Sequence, residues 1–325
     1  MSGRLGGKSG RLGGELDGEL DGELDGELDT LHAAALIRAG RLVAFPTETV
    51  YGLGANALDA AAVERIFAAK GRPRTSPLIV HVDSVEMART FAAGWPDAAE
   101  TLARHYWPGP LTLVVPKYAV PKRHAIPDIV TAGLPTVALR VPAHPLALAL
   151  IRAAGVPIAA PSANRFTELS PTAAGHIPDS LADFILDGGP ARIGIESTVL
   201  SLVDMPTLLR PGVISITELE RLIGPILQFA APAEGAHASP GMHVRHYRPA
   251  TPLWMLNPGD PLPQGHGAHL RIGHEMPAAP LAYAAALYET LHRLDAQHLD
   301  WIAVERPPEA PDWAGVLDRL RRAAG

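Results

Sequence analysis

The chain has 325 residues, 47% of them hydrophobic, enough for a sizeable core shared between about two domains at ~100–200 residues each. It has no cysteine, which excludes disulfides, iron–sulfur clusters, thiolate zinc sites and thiol nucleophiles. The formal net charge of −6 is concentrated at one end. Residues 1–30 set Arg4, Lys8 and Arg11 against eight acids between Glu15 and Asp29. The remaining body is nearly neutral and lacks the broad basic footprint of a dedicated nucleic-acid binder. Apolar runs fall far short of the ~20 residues of a membrane span, and no apolar signal core follows the N-terminus. A cytoplasmic protein that does not cross a membrane is expected.

In chain order, residues 14–29 read GELDGELDGELDGELD. A four-residue unit with one Leu and two acids buries no core, and its recurring Gly opposes a helix. Residues 1–29 are therefore expected to be a disordered acidic tail. A helix over 31–39 follows, then a buried strand over 41–45 stopped by Pro46, then a loop through PTETVYGLGANAL. Asp59 is placed to cap a helix over 60–70, which carries Val63, Ile66, Phe67 and Lys70 at helical spacing and ends at Gly71. Strands are expected at 77–82, 111–115, 136–141, 156–161, 184–189 and 197–203. Helices are expected within 84–106 and at 144–154 and 216–223. Strands alternating with helices indicate an α/β layer fold, and their uneven spacing argues against a purely parallel sheet. Residues 226–250, rich in Ala, Pro, Gly and His, read as a linker. A strand at 253–258 and helices at 281–294 and 312–324 then make a small α/β domain over 251–325, leaving 30–225 as the main domain.

Several motifs carry chemistry, each beside a plainer alternative. GRLGGKS (3–9) is one residue short of a phosphate loop and has no strand before it. GLGANA (52–57) matches a dinucleotide fingerprint, with Asp83 closing the next strand, but six residues separate its strand from the first Gly. Lys70 and Arg72, two apart at a helix end, suit phosphate oxygens as a point charge and a fork; equally, they suit the helix dipole. Ser162 and Asn164 of PSAN follow a strand directly and fit either ligand contacts or a helix cap. Ser197 and Thr198 of GIESTV and Arg210 of RPG stand at strand ends. His243 and His246 have metal-ligand types without a rigid helix or a nearby carboxylate. No G-x-S-x-G elbow anchors a hydrolase triad.

Taken in order, PTETVYGLG, KGRP followed by PLIVH, PGPLTLV, TVALRVP, PSAN, ILDGGP, ESTV and RPG resemble the YrdC/YciO family over residues 30–215. SPGMHVRHYRP (239–249) resembles the signature of its long, two-domain members, the threonylcarbamoyl-AMP synthases. The resemblance implies a twisted mixed sheet with flanking helices around a deep cavity, followed by a small C-terminal Rossmann-like domain. It implies an ATP-using nucleotidyltransferase that joins L-threonine and bicarbonate to AMP with release of pyrophosphate, using Mg²⁺. The product would pass to a separate complex that modifies tRNA. Carried over by position, it places Lys70, Arg72, Ser76, Thr136, Asn164, Thr172, Arg210 and His246 on ATP. It places Thr49, His81, Arg140, Ser162 and Ser197 on threonine, with Lys70, Arg72 and Ser162 at the chemistry. His246 and Tyr247 form a linker lid over the mouth. The segment 172–187 is shorter than the family pattern suggests. Two other readings remain from the residues: a non-catalytic RNA-binding module, and a carbamoyl-adenylate-handling domain of the hydrogenase-maturation kind, for which the acylphosphatase and zinc-finger segments are missing.

Overall fold

A computed structural model describes residues 14–118, 125–228 and 246–324, with side chains from residue 26 onward. The element best foreseen is α2, Ala60–Lys70. Asp59 accepts from the Ala61 and Ala62 amides, and Gly71 closes the other end in the left-handed conformation. Its Val63, Ile66 and Phe67 are buried against the sheet.

The main sheet has ten strands: β1 Val43–Phe45, β2 Gly52–Asn56, β3 Ile79–His81, β4 Leu111–Pro116, β5 Thr136–Arg140, β6 Ile158–Ala159, β7 Phe184–Ile185, β8 Thr198–Ser201, β9 Thr207–Arg210 and β10 Leu227–Gln228. They lie in the order β10-β9-β8-β4-β5-β3-β6-β2-β1-β7. Parallel pairs (β3 with β5, β4 with β8) and antiparallel pairs (β4 with β5, β2 with β6) are mixed, as the spacing suggests. Flanking helices are α1 Gly14–Arg38, α3 Val85–Phe91, α4 Asp97–Tyr106, α5 Asp128–Thr131, α6 Pro145–Ala154 and α7 Ile216–Ile223. Beyond them lies a second, all-parallel sheet of β11 Leu253–Leu256, β12 Gly267–Leu270 and β13 Trp301–Glu305, ordered β11-β13-β12, with helices α8 Pro280–Asp295 and α9 Ala314–Ala324.

Two expectations need correction. Residues 14–29 do not form a structureless tail: they continue helix α1. Ala33, Ala34 and Ile37 pack in one cluster with Ala147, Leu150 and Ile151 of α6, which supplies the nucleus that an isolated repeat lacks. Thr30 Oγ1 bonds back to the Gly26 carbonyl at 2.8 Å. Residues 1–13 lie outside the described residues. The second correction concerns GLGANA, which is strand β2 rather than a loop into a helix. Gly54 pairs with Val43 of β1, and a Cβ on it would stand 2.8 Å from both Phe45 Cε1 and Ile158 Cγ2. That glycine admits a neighbouring ring, not a pyrophosphate, so the dinucleotide reading fails.

Candidate active site

The sheet itself collects the site. In the β3–β5 register His81 pairs with Arg140, and in β3–β6 it pairs with Ile158. Neighbouring Ser162 bridges to Gly52 at the start of β2. The Leu53 amide donates to the Pro161 carbonyl, and the Ala163 amide to the Tyr51 carbonyl, both at 2.8 Å. PTETVYG, PLIVH, TVALR and PSAN, well separated in sequence, thus share one end of one sheet.

They line a partly open pocket whose enclosed volume is about 50 Å³. One wall carries Thr47, Thr49, His81 and Arg140; another carries Arg72 and Ser162; Ser197, Arg210, His246 and Tyr247 close the rest. Nine of the residues expected from sequence therefore face a single space.

At one end Arg140 is fixed on three sides. Its Nε donates to the Gly109 carbonyl at 3.1 Å and an NH2 donates to Thr49 Oγ1 at 3.0 Å. Glu48 Oε1 lies 2.8 Å from the same guanidinium, while Glu48 Oε2 accepts from the Ala143 amide. Thr47 Oγ1 stands 2.9 Å from Thr49 Oγ1 and donates to the Val50 carbonyl at 2.6 Å. Burial and the charge of Arg140 push the His81 imidazole down to about 3, so it is neutral at pH 7.

At the other end two cations are buried without a carboxylate in ion-pair reach among the described residues. Lys70 Nζ donates to the carbonyls of Ser162, at 2.6 Å, and Asn164. Arg72 donates to Ser76 Oγ at 2.5 Å and to the Pro77 carbonyl at 3.1 Å, with its guanidinium over the Phe166 ring. Burial, and then the charge of Arg72, holds the Lys70 ammonium well below its ordinary range. Burial lowers Arg72 to about 10. A buried cation held only by neutral oxygens is costly until an anion arrives.

Arg210 completes the cationic lining. Its Nε and NH2 donate to the Ser197 carbonyl at 3.1 and 3.0 Å, and NH2 also donates to Ser197 Oγ at 3.1 Å. Thr112 Oγ1 meets that same hydroxyl at 2.7 Å. His246 stacks edge-on with Phe166 and Tyr247. Tyr247, at a positive φ of 64°, turns the chain into the cavity. The rest of the lid signature, 239–245 with His243, lies outside the described residues.

Five residues expected at the site are not in its lining: Lys70 and Ser76, which hold the lining residues Ser162 and Arg72, and Thr136, Asn164 and Thr172. Thr136 sits at the far end of β5, about 13 Å along the strand from Arg140. Asn164 faces a neighbouring pocket, where its Nδ2 donates to the carbonyls of Arg165 and Glu168. Thr172 is turned to His176 Nδ1 at 3.3 Å. Buried atoms without a hydrogen-bond partner among the described residues include Arg72 Nε, His81 Nδ1 and Asn164 Oδ1 here, and Tyr283 Oη and Trp301 Nε1 in the C-terminal unit. Such orphans are rare in folded proteins, and those of Arg72 and His81 belong to residues that line the cavity. Sequence reasoning missed Thr47, Glu48 and Glu196 as working parts, although each stands inside a quoted motif. It missed Thr112, whose strand gave no sign of a polar partner.

An α/β sheet with a partly open, cation-lined pocket at its strand ends is the architecture of a protein suited to a small anionic ligand. Residues 35–212 match the Sua5/YciO/YrdC family model, described as telomere recombination; residues 214–325 match the threonylcarbamoyl-AMP synthase C-terminal domain. The chain belongs to this family. Threonylcarbamoyl-AMP synthase from Pyrococcus abyssi is 42% identical over 322 residues, covering 90% of this chain and 93% of the relative. The Bacillus subtilis enzyme of that name is 42% identical over 323 residues, covering 90% and 92%. The crystal structure of P. abyssi Sua5 complexed with L-threonine superposes with a TM-score of 0.84 at 40% identity, covering 92% of this chain and 94% of that one.

Proposed function

We propose that the chain synthesises L-threonylcarbamoyl-adenylate from L-threonine, bicarbonate and ATP, releasing pyrophosphate, as the first step of threonylcarbamoyladenosine formation in tRNA. It is a nucleotidyltransferase. The observation that supports the site assignment is one cavity whose lining brings Arg140, Thr49, His81 and Ser197 together with Arg72 and Arg210, while Lys70 and Ser76 reach it through the lining residues Ser162 and Arg72.

Arg140, already braced by Glu48, receives the threonine carboxylate as a fork. Neutral His81 accepts or donates a single hydrogen bond and adds no charge that would repel the amino group. The deprotonated threonine amine forms a bond to the bicarbonate carbon, a C–O bond breaks, and water leaves to give the carbamate (RNH₂ + HCO₃⁻ → RNHCO₂⁻ + H₂O). The carbamate oxygen attacks the α-phosphate in line, the bond to the pyrophosphate breaks, and charge accumulates on phosphate oxygens. Lys70, Arg72 and Arg210 supply fixed positive charge there, and no protein nucleophile is needed. Mg²⁺ enters as part of the ATP substrate. The nearby carboxylates, Glu48 and Glu196, are committed to Arg140 and Arg319, and Mg²⁺ would arrive with the nucleotide and supply charge neutralisation on its phosphates. His246 and Tyr247 cover the mouth and limit hydrolysis of the adenylate. The RNA-binding alternative is not favoured, because these cations are buried inside the cavity rather than spread over an exposed face.

The test is pyrophosphate release by the purified chain with MgATP, adding L-threonine and bicarbonate singly and together. Release that requires both is expected. Release that ignores either co-substrate would refute the reaction.

A further inference from the structure

The C-terminal helix α9 sends one arginine to the back of the cavity. Arg319 has a side chain 0% exposed. Its Nε donates to Glu196 Oε2 at 2.7 Å, its NH2 to the Glu196 carbonyl at 3.1 Å, and its NH1 to the Pro211 carbonyl at 2.8 Å. NH1 also meets Asp318 Oδ2 at 2.8 Å. Glu196 and Pro211 are each one residue away from a cavity group, Ser197 and Arg210. Arg210 ties these two segments together from the cavity side, and Arg319 ties them from behind.

The same guanidinium reaches a third wall, with its carbon 5.3 Å from the centre of the Tyr247 ring. Glu196 is held in turn by Ser170 Oγ at 2.5 Å and the Tyr288 hydroxyl at 3.4 Å, the latter from α8. The backbones touch directly as well. A Cβ on Gly315 of α9 would lie 2.5 Å from the Gly212 carbonyl oxygen, so no side chain cushions the contact.

We infer that Arg319 is a positioning residue for the reaction: it fixes the relative placement of Ser197, Arg210 and Tyr247, making the small C-terminal unit a working part of the active site. The inference rests on the proposed function. Its signature follows from geometry. Under the proposed function Ser197 serves the threonine and Arg210 the ATP, and the two are hydrogen-bonded to each other, so loosening one anchor degrades both substrate sites together. A group serving stability alone would lower the melting temperature and leave the kinetics of the folded protein unchanged.

Wild-type pyrophosphate release is measured first, since an inactive wild type sinks the functional reading before any variant is considered. Steady-state kinetics of Arg319→Met, Arg319→Lys and Glu196→Gln then decide the inference, each checked for folding by circular dichroism. In folded Arg319→Met the KM for L-threonine and the KM for ATP are expected to rise together, by about fivefold or more, with kcat/KM down at least about 30-fold. Arg319→Lys keeps the charge beside Glu196 but not the fork across two carbonyls, and is expected to be intermediate. Glu196→Gln keeps the shape and is expected to shift both KM values in the same direction. If Arg319→Met fails to fold, the other two variants decide by the same criterion. Folded variants within about twofold of wild type in kcat and both KM values would overturn the inference, and so would a rise confined to one substrate.

Discussion

The cavity and the seam behind it both bury charge, and they do so in opposite ways. Lys70 and Arg72 are held by carbonyls and a hydroxyl, without a carboxylate in reach among the described residues. At the seam, Arg319 is matched to Glu196. Burial alone would raise the Glu196 carboxyl, but the charges of Arg319 and Arg210 outweigh it and hold the group below its ordinary value. The contrast separates charge that keeps structure together from charge kept ready for a substrate. The first is paired inside the protein. The second, at Lys70 and Arg72, is left for the ligand to complete, whereas Arg140 at the same cavity is already braced by Glu48.

The sharpest way to break this contrast is to remove a cavity cation. Lys70→Met or Arg72→Met is expected to lower kcat/KM by about 10³-fold, read by pyrophosphate release, because each group stabilises charge developing on phosphate. The melting temperature should hold or rise, since an incompletely compensated buried cation has been removed. A lost fold would show that these cations are structural.

Removing a seam carboxylate should do the reverse. Glu196→Ala leaves Arg319 buried without its main partner and is expected to cost about 3–5 kcal/mol in denaturant unfolding. The double variant with Arg319→Met should cost less than the sum of the single variants.

A smaller effect is expected from pH. His292 of α8 stacks on His176 with ring centres 4.0 Å apart and lies 3.1 Å from the Ser170 carbonyl. Burial, and then the charge of His176, lowers His292 to about 4, although Asp295 pulls the other way. The native state therefore binds fewer protons than the unfolded chain. The contribution is fully present above about pH 6.5 and declines as pH falls toward about 4. Unfolding midpoints for His292→Phe should depend less steeply on pH across that window than those of wild type; equal slopes would remove His292 from the account. The smallest effect belongs to Thr112→Val. It deletes one hydrogen bond to Ser197 and is expected to cost about 1 kcal/mol, or roughly fivefold in kcat/KM for threonine.

The same contrast explains what could be read beforehand. Cavity residues sit in short contiguous motifs, so Arg72, Ser162 and Arg210 could be picked out one motif at a time beside plainer alternatives, while Arg140 was implied only by the family resemblance. Their convergence depends on the register that sets His81 beside Arg140, which no single segment displays. Strand β2 escaped because a strand built on Gly52 and Gly54 shows no apolar alternation; its glycines answer to Phe45 across the pair. Strand β12, only GAHL, is too short and polar to register as a strand. Arg319 escaped altogether. It lies 123 residues from Glu196, on a helix whose other arginines include the half-exposed Arg321. Helix α1 ran further than composition suggested because packing from Ala33 onward, not the repeat itself, supplies its nucleus.

The most direct measurement of the central claim follows carbon from ¹³C-bicarbonate in a reaction containing the full chain, L-threonine and MgATP, analysed by mass spectrometry. The account predicts the label in a single species carrying both threonine and AMP, formed together with pyrophosphate. Turnover of ATP to ADP, or an adenylate without the labelled carbon, would contradict it.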